Sequence, residues 1–235
     1  ELIYTAWPYW ECKAEIAKRF YAKASDEDHI FYLRAQLWKE LNPVDGFSNG
    51  LHKELRDVVD MYPQTDKEID RHDYHFFLLL QLVQEFNHYV VLADILEHLT
   101  GRPISPEDTV QLDEEKKLGD VRRPYVEQKD PLLNAAVGFT EGGGARLFRE
   151  GKELSGSKMN DLTAKTMQIV FDDEHNHHIE QAKEAISHIK SLEDLERMKD
   201  AIAKISEQCV WMRAEMFRDT MTKAAIETFI EDNTR

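Results

Sequence analysis

A glutamate three residues ahead of a histidine occurs at Glu85/His88 and again at Glu174/His177. In an α-helix residues i and i+3 share a face, so each motif aims a carboxylate and an imidazole at one point. Those two donor types, without a thiolate, suit iron or manganese rather than structural zinc. The number of motifs is barely above chance, and their placement carries the argument. Glu85 and His88 fall on the stripe Leu78, Leu82, Glu85, His88/Tyr89, Leu92, Ile95, which is apolar except at the motif. Glu174 and His177 fall on Met167, Val170/Phe171, Glu174, His177/His178. Carboxylates buried in such stripes are costly unless a metal or an opposite charge compensates. A buried Glu–His ion pair on each helix is the reading that needs no metal.

The pattern resembles the four-carboxylate, two-histidine cage of helical di-iron proteins, which two further carboxylates, one from each of two more helices, would complete. Between the motifs, Glu141 lies on the face Asn134, Val137/Gly138, Glu141, Gly144/Ala145, Phe148. Its competitor Glu150 sits in a polar run with Arg149 and Lys152. Before Glu85, the choice is Glu54, on the stripe Leu51, Glu54/Leu55, Val58, Met61/Tyr62. If the first bundle helix is instead 10–41, Glu15, Glu27 or Asp28 takes that place. Beside Glu141 stand Gly142, Gly143 and Gly144. Each glycine inside a helix costs about 1 kcal/mol relative to alanine. Three together open space for small molecules, permit close packing or break the helix.

The elements that must position these residues read as helices. Residues 10–41 form one, bent at Ser25, where Ser25-Asp26-Glu27-Asp28 resembles an N-cap. A short helix over about 51–62 ends at Pro63. Thr65-Asp66-Lys67-Glu68 caps a helix to about Thr100, stopped by Gly101-Arg102-Pro103. Residues 102–130 read as a long polar connection, with room for a helical turn. Helices follow from Pro131 to about Leu154, from about Asp161 to Ile189, and over 192–231. The expected architecture is a single all-α domain: a metal-binding bundle over about 51–189, with additional helices at 10–41 and 192–231.

Composition narrows the function classes. Lys and Arg number 30 against 45 Asp and Glu, a formal net charge of −15. That disfavours binding to nucleic acid or anionic membranes. No apolar run approaches the ~18 residues that span a bilayer. Two cysteines, Cys12 and Cys209, make no disulfide framework, and a reducing cytoplasm is the expected compartment.

On Gln84-Glu85-Phe86-Asn87-His88, Glu141 and Asp173-Glu174-His175-Asn176-His177, the chain resembles the ferritin-like di-iron carboxylate proteins, whose bundles use paired Glu-x-x-His motifs. The resemblance covers about residues 51–189. It implies a ferritin-like helical bundle with two Fe (Fe2+/Fe3+), or less often Mn, and O2 as co-substrate. Glu85 and Glu174 would bridge or chelate the metals, and His88 and His177 would each ligate one. Haem-oxygenase-like di-iron oxidases are similar too, through Glu85, His88, Glu141, His177 and a carboxylate at Glu174 or Asp173. Helical material at both ends and the absence of a Cys-x-x-Cys module argue against rubrerythrin and against iron storage. The expected function is an O2-dependent non-haem di-iron oxygenase or oxidase, a monooxygenase among the options, acting on a small organic substrate. The expectation leaves room for an external electron donor and a homodimer. An iron-binding or storage protein is the alternative that carries out no substrate oxidation.

Overall fold

Helix starts in this chain are written by short polar side chains. Ser25 opens one: its hydroxyl accepts from Asp28 N (3.2 Å), and the Asp28 carboxylate accepts from Ser25 N (3.0 Å). This reciprocal cap satisfies two amides that the first turn leaves without a helical partner. Ser157 and Ser191 accept from Asn160 N (3.0 Å) and Asp194 N (3.1 Å). Asp130 accepts from Leu132 N (3.0 Å), and Pro131 fills a first-turn position that has no need of an N–H.

The computed structural model describes residues 1–41, 56, 59, 60 and 71–234. All regular structure among them is helical, so the fold is all-α. The helices are α1 (Leu2–Tyr21), α2 (Asp26–Leu41), α3 (Arg71–Thr100), α4 (Asp113–Glu127), α5 (Pro131–Phe139), α6 (Gly143–Lys152), α7 (Lys158–His188), α8 (Leu192–Met216) and α9 (Lys223–Thr234). A 3-10 turn, Thr140–Gly142, joins α5 to α6. No helix among the described residues is long and apolar enough to cross a membrane.

Several boundaries differ from expectation. The 10–41 helix is two helices, and the first begins at Leu2 with Pro8 inside it. The polar connection 102–130 contains fifteen residues of helix, α4. Its mixed charges and Pro124 hide a narrow buried stripe of Glu115, Leu118 and Arg122. The helix after Pro131 changes to 3-10 geometry at the glycines. The last helix breaks after Met216, where Arg218 (φ 57°) and Asp219 (φ 51°) turn left-handed. Of the short helix expected at 51–62, residues 56, 59 and 60 are described and are helical, while its other residues, the cap at Thr65–Glu68 and the candidate Glu54 lie outside the described residues.

The chain divides into two compact units, residues 1–32 with 112–235, and residues 33–111. The bundle expected over 51–189 coincides with neither. In the first unit α1 packs on α6, α8 and α9, while α7 packs on α5 and α6, and α8 also takes α4 and α5. One shared cluster runs through Leu2, Ala6, Trp10, Leu133, Phe139 and Ile202. A second, aromatic cluster holds Phe20, Tyr32 and Phe217, the last two stacked at 4.8 Å. Burial of each such side chain contributes about 1.5–3 kcal/mol. Thus α1 and α8, expected as additions, form the interior of this unit.

In the second unit the end of α2 buries Leu33, Ala35, Leu37 and Trp38, and α3 buries Leu92, Ile95 and Leu96. Arg34 ties the chain after α3 to α2: its Nε donates to Asp108 O (2.6 Å), and its carbonyl accepts from Val110 N (3.0 Å).

Candidate metal centre

Helical spacing does what the motif requires in the second unit. On α3, Leu82 and Glu85 are half-buried and His88 is fully buried, followed one turn later by buried Leu92. The opposite face, with Val83, Phe86 and Val90, is exposed. His88 Nδ1 lies 3.8 Å from Glu85 Oε2 and 3.6 Å from Glu40 Oε2.

Glu40 is a residue the sequence reading did not select. It ends the buried stripe Leu33, Gln36/Leu37, Glu40 of α2 and is itself 4 % exposed. Its Oε1 accepts from Gln36 Nε2 at 2.5 Å, one turn earlier. The alternatives to Glu54 that can be placed have other roles. Glu15 pairs with Arg19 (2.7 Å), Asp28 caps α2, and Glu27 is exposed. The signal that marked Glu40 was there to read: a carboxylate three residues after Leu37 and seven after Leu33 on one helical face.

One ligand atom from each of Glu40, Glu85 and His88 lies within 4.8 Å of the others. Separations of 3.6 and 3.8 Å are long for a hydrogen bond. They suit shared coordination, because two donors each about 2.1 Å from one ion stand about 3.0–4.2 Å apart for bond angles of 90–180°. The donor set therefore fits a hard or borderline divalent ion. Without one, the same groups hold a proton. Burial by itself pulls the His88 pKa down, but Glu40 and Glu85 outweigh it and hold the imidazolium up to about 11. Burial pushes the Glu40 carboxyl up, and His88 with Gln36 more than reverse this, leaving it below its ordinary value.

In the first unit the second motif also forms on one helix. On α7, His177 is buried at 3 % exposed and Glu174 is half-buried. His175 is exposed and stacks on Phe171. His178 turns inward, edge-on to Trp10 (5.1 Å) and close to Phe139 (5.7 Å). Burial, with His175 beside it, keeps the His178 pKa below its ordinary value. Glu141 is half-buried in the 3-10 turn, and its Oε2 accepts from Gln181 Nε2 at 2.8 Å. Among the described residues of this unit taken alone, no three metal-type donors gather within 4.8 Å.

The three glycines settle between the alternatives of space and packing, each with a different neighbour. A Cβ on Gly142 would meet the His178 ring, with Nδ1 at 2.0 Å. One on Gly143 would meet Lys13 Nζ at 2.2 Å and Trp10 Cδ1 at 2.4 Å. One on Gly144 would stand 3.5 Å from Glu174 Oε2, an ordinary contact. The first two glycines let α1 and α7 close onto the turn that carries Glu141.

Against these geometries, known proteins offer no parallel: no family model, curated protein or solved structure matches the chain.

Proposed function

We propose that this chain is a non-haem, iron- or manganese-dependent oxygenase or oxidase that uses O2 on a small organic substrate. Two metal ions per chain are expected, one ligated by His88 and one by His177. The observation that carries the reading is the Glu40–Glu85–His88 set, two carboxylates and one imidazole at coordination spacing, with Glu40 and His88 buried and Glu85 half-buried.

When bound, reduced iron supplies the electrons and the open coordination positions that O2 chemistry needs. The chain's own part is to hold the donors and govern their protons. Gln36 fixes one oxygen of Glu40 and leaves the other toward His88. His88 must release its proton to become a ligand, so metal uptake expels one proton at this position. Glu40 and Glu85 then neutralise the ion. Leu92, fully buried one turn beyond His88, helps keep water from the donors.

The metal-free reading also has an observation in its favour, since the His88 imidazolium between two carboxylates is already compensated. Anaerobic titration of the full chain with Fe(II) or Mn(II), read by metal analysis after desalting, separates the two. About two equivalents are expected, with Glu40→Ala and His88→Ala each losing the ion held at His88. Retention of no metal by the unaltered chain would refute the enzyme reading and leave two structural Glu–His pairs. A cage-sized oligomer that accumulates many ions per chain would point to storage instead.

A further inference from the structure

Glu40 uses its two oxygens in different ways. Oε1 accepts from Gln36 Nε2 at 2.5 Å, while Oε2 lies 3.6 Å from His88 Nδ1. Glu85 faces the same nitrogen with one oxygen, Oε2, at 3.8 Å. The donors gathered there are one imidazole nitrogen and one oxygen from each carboxylate, all within the unit of residues 33–111.

Gln36 stands one turn before Glu40 on α2 and is 2 % exposed, beside buried Leu33 and Leu37. A buried amide in such a stripe needs a hydrogen-bond partner. Residues four apart share a helical face, so α2 itself supplies the Glu40 carboxylate. The consequence falls on Glu40. A carboxylate can grip an ion with one oxygen or with both. With Oε1 tied to the amide, turning Glu40 to chelate would break a buried, charge-assisted hydrogen bond. Glu40 is thereby set to reach an ion through Oε2 alone.

Denticity bears on which ion fits. Ca2+ takes about 6–8 oxygens and commonly draws both oxygens of a carboxylate. An imidazole with single carboxylate oxygens suits the smaller divalent ions of the first transition row. We propose that Gln36 is a positioning residue that keeps Glu40 monodentate, and that it thereby makes the His88 position prefer Mn(II) or Fe(II) to Ca2+. This rests on the metal-enzyme reading above and gives that position a cause for its choice of ion. Gln36 lies in no Glu-x-x-His motif, and its role comes from what its amide holds.

The probes are Mn(II) and Ca2+, titrated into the full chain and into Gln36→Met, Gln36→Leu and Glu40→Ala. Affinity is read for the ion that Glu40→Ala loses, together with its Mn(II) paramagnetic resonance spectrum, its displacement by Ca2+ and the melting temperature of the metal-free protein. Removal of an outer group that orients a ligand weakens metal binding about 10–100-fold. Both Gln36 variants are expected to bind Mn(II) more weakly by a factor of that size, with an altered spectrum, and to yield it to less Ca2+ than the parent does. Methionine nearly matches the volume of glutamine and has no N–H to donate, so Gln36→Met decides if Gln36→Leu fails to fold. Lowered metal-free melting with parental spectrum and parental displacement by Ca2+ would make Gln36 a structural partner of Glu40 only. That result overturns the proposal and leaves the metal reading standing, as does unchanged affinity and spectrum in Gln36→Met. An unchanged ion count in Glu40→Ala overturns it as well. A parent chain that binds no Mn(II) overturns both.

Discussion

Replacing Gly143 by alanine should destabilise the protein, and the same change at its neighbour Gly144 should stabilise it. Both residues lie at the start of α6, and Gly143 has φ −69° and ψ −9°, open to any L-residue. Alanine gains about 1 kcal/mol over glycine in a helix interior. That gain stands alone at Gly144, where the new methyl would meet Glu174 Oε2 at 3.5 Å and Phe148 Cε2 at 3.6 Å. At Gly143 it is opposed. The methyl would lie 2.4 Å from Trp10 Cδ1, and Trp10 is 4 % exposed in the core and contacts both Phe139 and His178. Lys13 Nζ, at 2.2 Å, would have to move as well. Overpacking of this kind costs about 1–3 kcal/mol. The net expectation is a loss of up to about 2 kcal/mol at Gly143 and a gain of about 0.5–1 kcal/mol at Gly144. For a chain of this size, about 2–4 °C of melting temperature accompanies each kcal/mol. Thermal and urea unfolding followed by far-UV circular dichroism would resolve a gap of several degrees between the variants. Gly119, in α4 with nothing within 4 Å of a built Cβ, serves as a second stabilising control. Gly143→Ala matching or exceeding the parent would show that the close approach of α1 is not what the glycine provides.

Acid sensitivity should have an identifiable contribution from His29, which is 6 % exposed and packed against Phe20 at 5.3 Å. Burial lowers its pKa in the fold, with Asp26 and Asp28 only partly opposing. The unfolded chain takes up its proton near pH ~6.5, where the folded chain resists. Stability from this group is therefore complete above that pH and is lost as pH falls toward the lower folded value. Urea midpoints on either side of neutrality should fall less in His29→Gln than in the parent, and equal falls would exclude His29. Removing the α8 cap with Ser191→Ala should cost about 1 kcal/mol, seen as a lower urea midpoint with an unchanged slope. Glu40→Gln should bring the His88 titration, followed by imidazole NMR of metal-free protein, well below about 11; no movement would mean that Glu40 does not hold the proton.

The sequence by itself settled the helical class and the faces of its two motifs. Period and capping are local: Ser157 and Ser191 start α7 and α8 within a few residues of where their spacing placed the starts. The stripe from Leu82 to Ile95 forms as written, because a helix fixes which side chains share a face whatever it packs against. Buried α4 was illegible because only Glu115, Leu118 and Arg122 turn inward, and two of those three are charged. The break after Met216 was illegible because no strong local stop marks it, whereas a break at the three glycines was among the readings their spacing left open. Tertiary structure decided which carboxylate meets His88. Glu40 is 48 residues earlier in the chain, and although its place on the face of Leu33 and Leu37 was legible, no local rule says that this face meets His88. Burial selects it, because a carboxylate in an apolar interior needs a partner cation, and the fold places His88 3.6 Å away. The glycines show the same division. Their cost to a helix is visible in the sequence, whereas the His178 ring and the Lys13 ammonium that require them arrive only through folding.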